Sequence, residues 1–271
     1  MVLIPEDRER QELLSLAKKA AKEGGEIHRR YYHQDIPVQT KGVSFDLVSV
    51  VDTESEKCIL DIIQKHYPAH NLLSEERGII QKGSELTWVI DPLDGTTNFI
   101  FGIPLFCSSV ALVYGNQTVV GAVYDAVHDE MFSAVAGQGA WLNDQRISVS
   151  SVGLLEESMM ITGFFYDRSE AMIKNLESMK HFFEASVRGI RRFGSAALDL
   201  CYVASGRATG FWEFRLNPWD FAAGALIVQE AGGTVSNLRG ENIDPTKQSY
   251  IVASNGRIHP EVLSILQMVE K

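Results

Sequence analysis

The stretch Trp88–Phe99, WVIDPLDGTTNF, places two aspartates at the end of an apolar run. The residues before them favour a buried strand, and Asp91 and Asp94 flank Pro92 directly after it. Two carboxylates close together repel each other, and burial makes the repulsion worse. A hard divalent cation relieves such repulsion directly. The pattern therefore indicates a cation site at the end of a strand.

A bend at Pro92 can direct both aspartate side chains and the Leu93 carbonyl into one space. Oxygen ligands alone favour Mg²⁺ or Mn²⁺ over zinc. Gly95 and Thr96 predict the start of a helix, whose free N–H groups bind anions. Glycine there lets a phosphate oxygen approach the backbone closely. The stretch thus predicts a metal site beside a phosphate site, although Asp-Gly is also a common turn and an aspartate before a helix is often only its N-cap.

Three further acidic residues occupy similar positions. Glu75 follows the short apolar strand Leu72–Ser74, and Asp52 follows an apolar run that ends at Val51. Asp220 lies in the first turn of an apolar helix that Pro218 opens. Two of them have a simpler explanation, since Asp52 suits an N-cap and Asp220 complements the helix dipole.

The periodicity along the chain predicts alternating helices and strands. Predicted helices cover an amphipathic segment with apolar residues from Leu13 to Ile27, a segment starting near Thr53 and ending at Pro68, and segments 169–185, 195–205, 218–231 and 260–269. Predicted strands are 72–74, 87–91, 106–114, 117–124, 130–135, 159–162, 189–193 and 250–253. We expect a single α/β (α+β) domain over residues 1–271, with a subdomain boundary near residues 145–155 that divides 1–150 from 151–271.

Composition narrows the class of protein. The chain has 271 residues and a formal net charge of -10, which disfavours general affinity for nucleic acid or anionic membranes. Three scattered cysteines form no CxxC pair, so a reducing compartment fits best. The N-terminus becomes charged after four residues and the longest mainly apolar stretch is too short to span a bilayer. A cytoplasmic location is expected.

Four sequence blocks resemble the inositol monophosphatase family of Mg²⁺-dependent, lithium-sensitive sugar phosphatases. WVIDPLDGTTNF matches one family signature, and PWDFAAG at 218–224, leading to EAGG at 230–233, matches another. DLVSVVD at 46–52 and SEE at 74–76 match two further blocks, and RRFGSAALDL at 191–200 is similar to the bacterial branch. The resemblance implies a layered αβαβα sandwich and a homodimer.

The same resemblance implies roles for individual residues. A first metal would be held by Glu75, Asp91 and the Leu93 carbonyl, a second by Asp91, Asp94 and Asp220, and a third partly by Glu75. Two to three Mg²⁺ ions are therefore expected, with Mn²⁺ as a possible substitute. Further roles are implied for Asp52 and Thr96 in deprotonating the attacking water, for Gly95 and Thr96 in binding phosphate, and for Lys41, Asp94, Gly194, Ala196, Glu213 and Asp220 in binding substrate. Lys41 and Glu213 also suit plain surface charges.

The expected reaction is hydrolysis of myo-inositol monophosphate by direct attack of a metal-activated water. A covalent intermediate is not required, and neither GxSxG nor GxxxxGK[ST] occurs in the sequence. Fructose bisphosphate and other sugar or nucleotide phosphates are alternative substrates, and Arg191 and Arg192 could either bind a second phosphate or simply decorate a strand. A regulatory protein-binding role with secondary catalysis is the alternative from another class.

Overall fold

The computed structural model describes residues 7–34, 36, 38–40, 47–164 and 170–270. These residues form two large mixed sheets, a small sheet of the two strands Val38–Thr40 and Leu47–Ser49, and seven α-helices. The helices are α1 (Asp7–Tyr31), α2 (Val50–His66), α3 (Thr96–Ile100), α4 (Glu170–Glu184), α5 (Ala196–Ala204), α6 (Pro218–Glu230) and α7 (His259–Met268). The strands are β1 (Val38–Thr40), β2 (Leu47–Ser49), β3 (Asn71–Ser74), β4 (Gly78–Ile80), β5 (Leu86–Asp94), β6 (Cys107–Tyr114), β7 (Gln117–Asp125), β8 (Glu130–Val135), β9 (Ala140–Leu142), β10 (Gln145–Ile147), β11 (Met159–Thr162), β12 (Gly189–Arg191), β13 (Gly210–Leu216), β14 (Thr234–Ser236) and β15 (Ser249–Ser254).

The first large sheet has the strand order β10-β9-β8-β7-β6-β5-β3-β4, and the second has the order β12-β11-β13-β15-β14. In the first sheet only β3 and β5 pair in parallel, whereas the other neighbours are antiparallel. In the second sheet β11 pairs in parallel with both β12 and β13. Because β3 and β5 run in parallel and Ser74 pairs with Ile90, the residue that follows β3 lies beside the last part of β5.

Apolar faces stack these elements in five layers. Helices α1 and α2 cover one face of the first sheet, with Leu13, Ile59 and Trp88 in that core. Helices α5 and α6 lie between the two sheets, and α4 and α7 cover the outer face of the second sheet. Helix α6 is buried almost all round because it contacts sheets on both sides, which explains its continuous apolar sequence. The predicted αβαβα sandwich is confirmed.

The first sheet ends at Ile147 and the second begins at Met159, on either side of the predicted subdomain boundary. One apolar core nevertheless includes side chains from both sheets, such as Val123 and Phe211. The division into 1–150 and 151–271 stays a prediction. Within the described ranges, none of the helices combines the length and apolar composition that a bilayer crossing requires.

Candidate active site

Two acidic residues meet where β3 and β5 end. Ser74 lies opposite Ile90 in this parallel pair, so the next residues, Glu75 and Asp91, are neighbours across the sheet. Their side chains are hydrogen-bonded, and Asp91 is only 2% exposed. The parallel pairing of β3 with β5 therefore brings together two acidic residues that are separated in the sequence.

Asp94 belongs to the same strand, contrary to the predicted end of that strand at Asp91. Strand β5 continues to Asp94 with an irregular register against β6 between the two aspartates. The bend at Pro92 is thus a bulge within a strand, a device that redirects side chains near functional sites. The Asp91 carboxylate accepts a hydrogen bond from the Leu93 N–H at 3.0 Å, and His28 Nε2 donates to the Pro92 carbonyl at 2.8 Å.

The N-terminus of α5 holds the Asp94 carboxylate. Asp94 Oδ2 accepts hydrogen bonds from the Ser195 hydroxyl at 2.6 Å and from the Ala197 N–H at 2.8 Å. The Ala196 N–H also bonds to this carboxylate. Helix α5 lies between the two sheets, so these bonds link the Asp94 side chain to the second half of the fold.

Asp52 and Thr96 form a direct pair. Helix α2 begins at Val50 with Ser49 as its N-cap, so the predicted start near Thr53 is wrong. Asp52 is the third helical residue, and its Oδ2 accepts bonds from the Ser49 N–H and hydroxyl, each at 2.7 Å. Its Oδ1 accepts a bond from Thr96 Oγ1 at 2.9 Å. The carboxylate therefore stabilises the helix start with one oxygen and holds Thr96 with the other.

Asp220 lies in the first turn of α6 and also faces this region. Its Oδ2 accepts a hydrogen bond from the Asn217 N–H at 2.7 Å. Asp220 therefore also complements the positive end of the α6 helix dipole, as the simpler explanation of this residue predicted. The same side chain lines a pocket with the other acids, so the two explanations do not exclude each other.

One pocket brings together most of the predicted site residues. Its walls include Glu75, Asp91, Leu93, Asp94, Gly95, Thr96, Gly194, Ala196, Glu213 and Asp220. Asp52 is fully buried behind Thr96. Lys41 lies outside the described residues. The pocket walls also include residues to which the sequence assigned no individual catalytic, metal-binding or substrate-binding role, namely Gly163, Phe164, Ser195, Asp199, Leu216, Asn217 and Trp219. An aspartate in the otherwise apolar helix AALDLCYVA was the one available signal for Asp199.

Burial and mutual repulsion govern the charges of this pocket. Burial raises the pKa of Asp91 well above its usual range, and Glu75, Asp94 and Asp220 add to the increase. Burial raises the pKa of Asp94 to about 6, although Ser195 and nearby backbone N–H groups oppose the shift. The pKa of Asp220 is raised by burial and then by Asp94 and Glu75. Each of these carboxyl groups therefore lacks sufficient compensating positive charge from the protein.

The donor chemistry of the pocket suits a hard divalent cation. Four carboxyl groups and the Leu93 carbonyl offer oxygen atoms only, the preference of Mg²⁺ and Ca²⁺. A cation would also relieve the repulsion that raises the pKa of Asp91. Within residues 7–34, 36, 38–40, 47–164 and 170–270, no three His, Cys, Asp or Glu side chains are yet close enough together to hold an ion. The carboxylates would thus need to adjust around it.

The two neighbouring arginines differ in position. Burial raises the pKa of Asp94 to about 6 and that of Glu213 to about 8, and the charge of Arg192, which is part of the pocket wall, partly opposes both increases. Arg191 donates to the Ile190 carbonyl beside it on the exposed end of β12. Arg192 is therefore the one of the two that can influence a ligand in this pocket.

A larger cavity of about 750 Å³ lies elsewhere, beside Arg215, Tyr250 and Gln267. Its wall mixes two arginines, two glutamates and neutral polar groups. The acidic pocket is much smaller, at about 80 Å³, but it contains the buried carboxylates. Chemistry rather than size therefore identifies the acidic pocket as the candidate active site.

Comparison with known proteins agrees with this geometry. The sequence profile of the inositol monophosphatase family matches residues 9–271. The chain is 43% identical to the chloroplastic phosphatase IMPL1 of Arabidopsis thaliana, over 93% of this chain and 69% of that protein. It is 40% identical to the Nus factor SuhB of Pasteurella multocida, over 94% and 96% of the two chains. The structure of inositol monophosphatase from Anabaena superimposes with a TM-score of 0.84 at 38% identity, covering 95% of this chain and 96% of that one.

Proposed function

Since the chain belongs to the inositol monophosphatase family and is a phosphoric monoester hydrolase, we propose that it hydrolyses myo-inositol monophosphate to inositol and phosphate with Mg²⁺. The observation that supports this proposal most strongly is the convergence of Glu75, Asp91, Asp94 and Asp220 on one pocket beside the Asp52–Thr96 pair. A single pocket then combines ligands for cations with a group that can accept a proton.

The acidic residues divide into two overlapping sets. Glu75, Asp91 and the Leu93 carbonyl would hold one Mg²⁺, and Asp91, Asp94 and Asp220 would hold a second. A third, weaker ion would be held partly by Glu75. When bound, such ions supply Lewis-acid chemistry, which makes a water easier to deprotonate and stabilises negative charge on phosphoryl oxygens. Mn²⁺ offers the same chemistry to the same oxygen ligands.

The Asp52–Thr96 pair would receive the proton of the attacking water. The Thr96 hydroxyl donates to Asp52 Oδ1 at 2.9 Å, and Asp52 Oδ2 is fixed by Ser49. As the oxygen of water forms its bond to phosphorus, Thr96 can accept the water proton while its own proton passes to Asp52. The bond from phosphorus to the alcohol oxygen breaks, this oxygen takes up a proton from solvent water as the alcohol leaves, and Asp52 returns its proton to solvent. The geometry of this hydrogen-bonded pair is the basis of the assignment.

The start of α3 would bind the phosphate. Gly95 is the N-cap of α3 and has φ 92°, a left-handed conformation that favours glycine. A Cβ atom at this position would lie 2.9 Å from the Leu105 carbonyl oxygen. Glycine therefore allows the chain to turn tightly from Asp94 to Thr96, so that the first N–H groups of the helix can face the phosphoryl oxygens.

Initial rates on a panel of phosphomonoesters test the proposal. We expect turnover of myo-inositol 1-phosphate in Mg²⁺, loss of turnover in EDTA, and inhibition by millimolar lithium. Fructose 1,6-bisphosphate, histidinol phosphate and NADP belong in the panel because the metal ligands do not distinguish among phosphate esters. Faster turnover of fructose 1,6-bisphosphate than of the inositol ester would refute the substrate assignment but not the reaction class.

A second candidate function is favoured by the 40% identity to a protein named Nus factor SuhB. In that case the chain would bind a protein partner, and catalysis would be secondary. An inactive Asp94→Asn variant separates the two functions in cells that lack the native chain. Full rescue of growth by this variant would favour the binding role, whereas failure to rescue would favour catalysis. A homodimer and a cytoplasmic location are further proposals, which sedimentation and cell fractionation test.

A further inference from the structure

Asp199 is a buried carboxylate without a hydrogen-bond partner among the described residues. It lies in α5, is 1% exposed, and belongs to the wall of the acidic pocket. Within the described part of the chain, neither of its side-chain oxygens has a hydrogen-bond partner. A buried carboxyl group without hydrogen bonds is costly, and such groups commonly mark a functional role.

Helix capping does not explain this residue. Each N–H group in the first turn of α5 already has another acceptor. The Ala196 and Ala197 N–H groups bond to Asp94, and the Leu198 N–H bonds to the Ser195 hydroxyl. The Asp199 N–H bonds to the Ser195 carbonyl at 2.9 Å. The Asp199 carboxyl group therefore satisfies none of the free N–H groups that an acidic residue near a helix start usually serves.

Asp199 shares the pocket wall with Glu213, Arg192 and Asp94. After burial, the strongest charge effect on Asp199 comes from Glu213, followed by Asp94 and Arg192. Asp199 therefore adjoins Asp94, one of the proposed metal ligands, on a part of the wall that also contains Glu213 and Arg192.

We propose that the Asp199 carboxyl group forms a hydrogen bond with a hydroxyl of the substrate and selects polyol monophosphates over esters that lack this hydroxyl. The proposal rests on the proposed phosphatase function. A substrate hydroxyl would supply the partner that the protein does not. Both Asp199 oxygens are buried in the structure, so neighbouring side chains must move before a substrate hydroxyl can reach them. Arg192, which packs against Gly194, is free to move because it is exposed.

Steady-state kinetics of the full chain in Mg²⁺ test the inference. Wild type, Asp199→Ala and Asp199→Asn are compared on myo-inositol 1-phosphate and on p-nitrophenyl phosphate, whose leaving group has no further hydroxyl. We expect Asp199→Ala to lower kcat/KM for the inositol ester by about 10- to 100-fold and that for the aryl ester by less than about twofold. Asp199→Asn keeps hydrogen-bonding capacity and should recover part of the loss.

Equal losses on both esters, or no loss on either, would overturn the role of Asp199 while the phosphatase function stands. If the wild-type protein hydrolyses neither ester, the proposed function is refuted, and the proposed contact of Asp199 with the substrate is refuted as well. Urea unfolding provides a structural control against Asp125, which is 0% exposed and accepts bonds from the Val127 and His128 N–H groups and from the His128 ring. Asp125→Asn should lose stability and Asp199→Asn should not, because only Asp125 has partners. Comparable destabilisation by both would assign Asp199 a structural role and overturn the proposal.

Discussion

Acidification from pH 7 to pH 4 should destabilise the protein through His28. This side chain is 0% exposed, its Nε2 donates to the Pro92 carbonyl at 2.8 Å, and its Nδ1 has no partner in the described part of the chain. Burial lowers the pKa of His28 from 6.5 to about 4, against a smaller opposing effect of the Pro92 carbonyl. Protonation would place a charge beside the rings of Phe99 and Phe106.

The size and direction of the effect follow from the two pKa values. The folded chain binds the proton only near pH 4, whereas the unfolded chain binds it near pH 6.5. The stabilisation is therefore complete above pH 6.5 and is lost as the pH falls toward 4. At about 1.4 kcal/mol per pH unit, the loss from this histidine is roughly 3 kcal/mol.

Urea unfolding at several pH values, in EDTA, measures this loss. The His28→Phe variant keeps a ring of similar shape but leaves the Pro92 carbonyl unpaired, which should cost about 1–3 kcal/mol at pH 7. We expect this deficit relative to wild type to shrink toward pH 4 and then reverse, because the variant lacks the titrating group. A deficit that stays constant from pH 7 to pH 4 would refute the reasoning.

Three further substitutions test other contacts of the site. Asp94→Asn should preserve the fold but lower kcat by about two orders of magnitude or more in saturating Mg²⁺, because one ion loses a charged ligand; full turnover would count against the ligand assignment. Glu56→Gln should lower the free energy of unfolding, measured in urea, by about 1.5–3 kcal/mol. The buried Glu56 carboxylate accepts hydrogen bonds from the Glu76 and Arg77 N–H groups and from the Arg77 side chain. Unchanged stability would show that these hydrogen bonds beside Glu75 do not stabilise the fold. Gly95→Ala should lower the free energy of unfolding by about 1–3 kcal/mol and weaken inhibition by inorganic phosphate. The reasons are the φ of 92° at this position and the close Leu105 carbonyl. Wild-type stability together with wild-type inhibition would show that glycine is not required here.

Local sequence patterns predicted much of the fold because helices such as α1 are amphipathic and strands such as β6 are mainly apolar. The αβαβα layers themselves came from the family resemblance rather than from periodicity. Element ends were less predictable. Helix α2 starts at Val50 rather than near Thr53, because Ser49 and Asp52 form its capping box. The contact of Asp52 with Thr96, which is distant in sequence, also holds this helix start in place.

The candidate site shows the same limit. Acidic residues at strand ends pointed to Glu75 and Asp91, since parallel strands end at one edge of a sheet. Asp199 could not be assigned in this way, because an aspartate in the first turn of a helix is ordinarily explained by the helix dipole. Its significance depends on which N–H groups already have acceptors, and only the arrangement of α5 beside Asp94 reveals this.

Anomalous diffraction from a crystal soaked in manganese tests most directly whether these buried acidic side chains form a cation site. We expect at least one anomalous peak within ligand distance of Asp91 and one or more of Glu75, Asp94 and Asp220, and we expect the same soak to show no peak there for Asp91→Asn. A fully soaked wild-type crystal without any peak among these four side chains would contradict their assignment as metal ligands.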